Sequence, residues 1–225
     1  MSLSVCVCDK SIPSASAFSS LLRDRCHSVG LLCAPGSDAL SEISWNRSSV
    51  LSAETVPLEM KSRFGAFDAL VLCFDTAAVR RSVSGLEIPG SERMSMVRAI
   101  DEYVRGYALL LAAVADTFKE RQSGRFVFAL RQPSKGEDQS DSRALSVRFS
   151  AALAESAFVR CAEECASVCS EQAASTGVHT LLLKFDAESE QEGFDQIASW
   201  LESANPKNQG VRWIKAGSRG IFGLR

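Results

Sequence analysis

The sequence predicts a doubly wound α/β fold, a mostly parallel sheet with helices on both faces, and three observations carry that expectation. The first is the stretch from Ser142 to Phe185, which reads as a long helix running into a buried strand. Leu145, Phe149, Leu153, Ala157 and Phe158 recur at helical spacing in it, with an Ala/Ser surface between them that permits close helix approach. Thr176-Gly177 stops that helix, and Val178–Phe185 is a nearly continuous apolar run of the kind covered on both faces in parallel sheets. The second is Phe67–Phe74, an equally clear run in the first half. The third is composition: 225 residues, 46% hydrophobic and 23% charged, suffice to bury a core as one domain over 1–225. Helix, short turn and strand, repeated, build such a domain.

Taken in order, Ser4–Cys8 is the first strand and Ser14–Arg25 the first helix. Val29–Cys33 is the second strand, closed by Pro35-Gly36, and a third is expected around Arg47–Leu51. Ala53–Phe64 reads as a short helix limited by Pro57. Phe67–Phe74 is followed by a connection over 75–93 with Gly85, Pro89 and Gly90, and Ser91 with Glu92 opens the next helix. That helix, Met94–Arg121, places Met94, Val97, Ile100, Val104, Tyr107, Leu111 and Val114 on one side at spacings of three and four. Arg125–Leu130 is a strand, and Arg131–Asp141 a polar, mobile loop. After the long helix and Val178–Phe185 come an amphipathic helix Ser189–Ser203 and a last strand Val211–Lys215.

A formal charge of -2 and a pI near 5.8 give no electrostatic case for nucleic acid. No apolar run reaches the length of a membrane span, and the N-terminus lacks a basic flank before a long apolar core; no membrane partner and a cytoplasmic location are expected. Cys6, Cys8, Cys33 and Cys73 fall in expected strands, where cysteine behaves as a small hydrophobe, so no disulfide framework is expected.

Several segments together resemble the short-chain dehydrogenase/reductase family. They are Phe67-Asp68-Ala69-Leu70-Val71, then Asp101–Tyr107, Gly124-Arg125-Phe126-Val127, the helix Ser150-Ala151-Ala152-Leu153 with Glu163, Gly177-Val178, and Gln209-Gly210-Val211. The resemblance covers almost the whole chain and implies a seven-stranded Rossmann-like sheet in the order 3-2-1-4-5-6-7.

What the family uses for chemistry is absent. Its members hold the cofactor pyrophosphate on a glycine-rich turn after the first strand, where only glycine lets the backbone approach closely at a helix N-terminus. Here Asp9, Pro13 and Ala15 stand about where those glycines fall, and Asp9 would repel phosphate. The Asn-Asn-Ala-Gly segment after the fourth strand is replaced by Leu72-Cys73-Phe74-Asp75, and the helix Asn by Tyr103. The catalytic Ser position falls on Arg131. The Tyr and Lys positions fall on Ser146 and Ser150, or on Ala144 and Arg148 in the other register. Neither Tyr103 nor Tyr107 is followed four residues later by lysine, so the proton-donating phenol and its pKa-lowering amine are both missing. The family's substrate-covering segment after the sixth strand is also absent, since Asp186-Ala187-Glu188 leads almost directly into a helix.

Cys161, Cys165 and Cys169 lie one helical turn apart and could share a face as a soft-metal or redox site. A tetrahedral metal needs a fourth ligand that a straight helix rarely supplies, so packing is expected and no metal. His27 and His179 accompany no nucleophile motif. Arg212-Trp213-Ile214-Lys215 with Arg219 and Arg225 is either a binding tail or an alternating last strand with a solvated face, and the strand is expected.

The resemblance and the missing motifs imply a catalytically silent dehydrogenase-like scaffold with no cofactor, retained for binding a protein or small ligand at the strand C-termini. The alternative is an NAD(P)-dependent oxidoreductase with a rebuilt site and Tyr103 or Tyr107 as acid. The resemblance also implies a homodimer or homotetramer through helices 94–121 and 143–174. Ala144, Ser146, Ser150, Ala151, Ala154 and Ala157 would form the close-approach surface and Leu109, Leu110, Ala113 and Phe158 add apolar area, so that Ala151→Arg would yield a monomer.

Overall fold

The computed structural model describes residues 2–36, 39, 41–84, 97, 99–134, 145–206 and 210–217. Seven strands form one sheet in the order β3-β2-β1-β4-β5-β6-β7. They are β1 Ser4–Cys8, β2 Ser28–Cys33, β3 Glu42–Ser44, β4 Ala69–Asp75, β5 Gly124–Arg131, β6 Val178–Phe185 and β7 Ile214–Lys215. Every neighbouring pair is parallel, from Val5↔Ala69 at the centre to Leu183↔Ile214 at the edge. β4 is buried along its whole length and β6 over most of it, as strands covered on both faces must be.

The helices are α1 Pro13–Asp24, α2 Val50–Phe64, α3 Thr76–Ser84, α4 Gly106–Arg121, α5 Leu145–Thr176 and α6 Glu190–Glu202; a π-helical turn, Ile100–Arg105, leads into α4. They sort to two faces. Phe18 and Leu22 of α1 and Phe194, Ile197 and Leu201 of α6 pack with Val5, Val71 and Leu181 on one. Met60 of α2, Tyr107 and Phe118 of α4 and Phe158 of α5 pack with Leu70, Phe128 and Leu182 on the other.

Local chemistry explains where these elements depart from expectation. The third strand is Glu42–Ser44 and not Arg47–Leu51. Ser49 is the N-cap of α2, its hydroxyl accepting from the Ser52 N–H at 3.2 Å, so Val50 and Leu51 begin a helix. Pro57 does not limit that helix, which runs on to Gly65 in the left-handed region. The expected connection after β4 begins as a helix, because the Asp75 carboxylate accepts the Ala78 N–H at 2.9 Å and caps α3. The last strand shortens to two residues. Residues 85–93, the expected helix start at Met94, the loop 135–141, Ala144, Gln209, Arg219 and Arg225 lie outside the described residues.

Two glycines set close approaches. Gly177, at φ +58, turns α5 into β6 where a Cβ would stand 2.5 Å from the Gln122 carbonyl oxygen. Gly106 opens α4 against Arg47, whose Cβ lies 2.7 Å from where a glycine Cβ would be.

Candidate functional site

The C-terminal ends of β1, β4 and β5 meet where an open parallel sheet offers its crevice. After β1, the Asp9 carboxylate is buried at 4% exposure. One of its oxygens accepts from the Ser11 N–H at 2.8 Å and the Ser11 hydroxyl at 2.5 Å; the other is paired with Arg47. Ile12, buried and without a side-chain cap, precedes Pro13 at the first position of α1, and Ala15 is fully buried beneath. The turn therefore presents a buried carboxylate at a helix entry, and Asp9 already holds the Ser11 amide.

Arg47 reaches this carboxylate from the loop between β3 and α2. Its guanidinium carbon lies 5.4, 5.0 and 6.0 Å from the ring centres of Trp45, Tyr103 and Tyr107. It also donates to the Glu102 carbonyl at 3.4 Å and approaches the Glu102 carboxylate at 3.8 Å. The π turn carries Glu102 and Tyr103 to this place, and absence of a side chain at Gly106 leaves room for Arg47. A flat cation on aromatic faces, paired to a carboxylate, is a strongly held arrangement.

Of the two phenols, the Tyr107 hydroxyl is committed to the backbone. Tyr107 donates its hydroxyl to the Cys73 carbonyl at 2.7 Å, and burial pushes its pKa well above the ordinary value. Tyr103 is buried at 4% exposure with its ring set edge-on to Tyr107 and Phe74.

A second network crosses the ends of β4 and β5. Arg131 stands 3.4 Å from Asp75 and 3.6 Å from Glu190 at the start of α6. Asp75 also accepts from the Ser14 hydroxyl at 3.3 Å, and Thr76 donates to Glu155 of α5 at 3.0 Å. The structure thus brings Asp9 near Arg47 and Tyr103, and Arg131 to Asp75. Ser150 is buried at 1% exposure, and Ser146 lies in the first turn of α5 with its side chain outside the described part.

Other singled-out residues have structural partners. His27 Nδ1 accepts from the Leu3 N–H at 3.2 Å and its Nε2 lies 3.2 Å from Glu202. His179 sits at the start of β6, paired in register with Arg125. Trp213 donates to Glu163 at 3.1 Å, and the Lys184 ammonium lies 4.8 Å over its ring. Cys165 and Cys169 stand 4.0 Å apart, sulfur to sulfur, on the wall of a groove of about 530 Å³ between α4 and α5 that Cys161 also lines. Among the described residues no three metal-ligating side chains converge, and no helix is long and apolar enough to cross a membrane.

Three of the small residues expected to meet a second copy, Ser150, Ala151 and Ala154, face inward. Ser150, Ala151 and Ala154 are 0–1% exposed, and Leu110 and Phe158 are equally buried in the chain's own core. The outward side of α5 carries Phe149, Leu153 and Val168 instead, at 57%, 39% and 47% exposure.

Trp45, Arg47, Glu155 and Glu190 are not among the expected site residues, and Asp75 is expected only as the end of the segment that replaces Asn-Asn-Ala-Gly. Asp75 followed by Thr76-Ala77-Ala78 carries a readable N-cap pattern. Arg47 has no such local signal, because its partner lies thirty-eight positions away.

No family model matches the chain. A protein of Treponema pallidum (strain Nichols), described as uncharacterized, is 26% identical over 181 residues, which is 80% of this chain and 75% of that one. The crystal structure of a short-chain dehydrogenase from Streptomyces avermitilis superposes with a TM-score of 0.61 at 14% identity, covering 96% of this chain and 89% of that one. With the strand order above, this establishes that the chain has the Rossmann-like fold of a short-chain dehydrogenase.

Proposed function

We propose that this protein is a catalytically silent scaffold on a dehydrogenase fold, binding no dinucleotide, whose crevice is held shut by its own charges. The observation that carries the reading is the Asp9–Arg47 pair. Where a cofactor's pyrophosphate would need a bare, electropositive helix entry, this chain supplies a buried carboxylate that already takes the Ser11 amide. A phosphate brought there would have to displace Asp9 from both the Arg47 guanidinium and the Ser11 amide.

The rest of the crevice supports the same conclusion. Tyr107 spends its only proton on a backbone carbonyl, no lysine stands four residues after either tyrosine, and Arg131 lies at the family's serine position inside an ion-pair network. The rebuilt-oxidoreductase alternative needs one of these phenols free as an acid and gains no specific support. Titrating NADH and NADPH against the protein, with nicotinamide fluorescence as the signal, tests the reading. No binding up to millimolar cofactor is expected, and micromolar binding would restore the oxidoreductase.

Self-association belongs to the same proposal, through the outward side of α5. Phe149 and Leu153 are exposed one turn apart on the same helix. A second copy antiparallel about a two-fold axis beside them would present the same apolar pair, the self-complementarity an isologous contact requires. Sedimentation at tens of micromolar should give a dimer that Leu153→Glu converts to a monomer; a monomeric unmodified protein removes this part.

A further inference from the structure

We propose that Cys165 and Cys169, on the wall of the groove between α4 and α5, form a two-coordinate binding site for a soft monovalent cation, copper(I). The two sulfurs lie 4.0 Å apart, one turn from each other on α5. Two metal–sulfur bonds of about 2.3 Å each span up to about 4.6 Å. A single ion between these sulfurs therefore bridges them while the helix keeps its course. Both cysteines line the groove, of about 530 Å³, which gives an ion its path from solvent. Nothing in this reading depends on the state of the crevice at the strand ends.

The donor set selects the ion. Thiolates hold soft ions, whereas carboxylates, carbonyls and water suit magnesium and calcium. Zinc takes a tetrahedral sulfur site, which needs two ligands beyond this pair, and no three ligating side chains converge among the described residues. Cys161 lines the same groove one turn earlier on α5 without completing such a group. Leu111 and Ala115 of α4, Phe126 of β5 and Val168 of α5 bring no ligand atom to the wall, and Glu164, its one carboxylate, is paired with Arg160. Two sulfurs in an apolar bed suit an ion content with low coordination.

The two cysteines play the same part. Each thiol gives its proton to solvent as its sulfur binds the ion, and neither sulfur nor copper(I) changes oxidation state. The remaining cysteines stand elsewhere: Cys6, Cys8, Cys33 and Cys73 are buried in the sheet, and Cys26 is exposed in the turn after α1. Burial also pushes the Cys6, Cys8 and Cys73 thiols up, which opposes the deprotonation that a metal ligand requires.

The test is titration of the full chain, reduced and kept free of oxygen, with copper(I) in competition with bathocuproine disulfonate, whose copper complex is coloured. One copper(I) per chain should pass from the chelator to the protein, and more readily as the pH rises, because binding releases protons. X-ray absorption at the copper edge should show two sulfur neighbours and no nitrogen or oxygen. Cys165→Ser and Cys169→Ser should each weaken binding by about a hundredfold or more, beyond what losing an outer partner of a ligand costs. Cys161→Ser and Cys26→Ser should leave it unchanged. Circular dichroism of each variant establishes that it is folded. Zinc(II) should stay with its own chelator, 4-(2-pyridylazo)resorcinol. No transfer of copper(I), binding that survives the loss of Cys165 or Cys169, binding that also needs Cys161, or zinc(II) taken from its chelator overturns the proposal.

Discussion

The guanidinium of Arg47 is paired with the Asp9 carboxylate at the end of β1 and lies 5.0 Å from the Tyr103 ring centre. Both side chains are nearly out of solvent, at 12% and 5% exposure, so neither charge is well hydrated without the other. Asp9→Ala is expected to lower stability by about 3–5 kcal/mol in urea unfolding, because it leaves a buried cation with only its longer contacts to Glu102 and Ser11. Asp9→Ala combined with Arg47→Met should cost less than Asp9→Ala alone. A double variant less stable than the single one would mean that the pair is not the unit described.

Gly106 gives a sign reversal that is simple to measure. Intrinsic propensity favours alanine over glycine in a helix by about 1 kcal/mol. A Cβ at Gly106 would stand 2.7 Å from the Arg47 Cβ and 3.2 Å from its carbonyl oxygen, so Gly106→Ala should instead destabilise by about 1–3 kcal/mol. Thermal unfolding that rises on this substitution would contradict the packing of Arg47 on α4.

Ala151 separates core from interface. It is fully buried between α5 and its own sheet, so Ala151→Arg should unfold the chain, at a cost of about 4 kcal/mol or more, and not yield a soluble monomer. Leu153→Glu, two residues on and 39% exposed, should leave the fold intact. A well-folded Ala151→Arg protein, judged by its near-ultraviolet dichroism, would refute the burial.

His179 sets a pH dependence. Burial, and after it the positive Arg125, push its imidazole below the ordinary value of 6.5. The protonated form is thus favoured in the unfolded chain, so the contribution is fully present above pH 6.5 and is lost as the pH falls through the lower folded value. His179→Gln should remove that loss and flatten stability against pH below neutrality. A variant with the same slope as the unmodified protein would show that the titration lies elsewhere.

The sheet was largely legible because buried parallel strands write themselves as apolar runs: Val178–Phe185 coincides with β6 residue for residue, and Ser4–Cys8 with β1. β3 was not, since a three-residue edge strand carries too few side chains for a periodicity, and Val50-Leu51 imitates one while starting a helix. The turn after β1 was legible as a place, with Asp9 directly after the strand and Pro13 and Ala15 in the first turn of α1. What fills it was not, because Arg47 and Glu190 reach Asp9 and Arg131 only through the tertiary fold. The same limit holds on α5: spacing tells that Ala151 and Ala154 share a face but not which partner that face meets, and in the chain it meets the core.

The most direct test of the central claim is the melting temperature with and without dinucleotide. A ligand at a hundredfold excess over its Kd stabilises the native state by about 2.7 kcal/mol, which in a chain of this length corresponds to a rise of roughly 5–10 °C. With the Asp9 carboxylate at the helix entry, the account predicts no shift from millimolar NADH or NADPH. A rise of several degrees with either would contradict it.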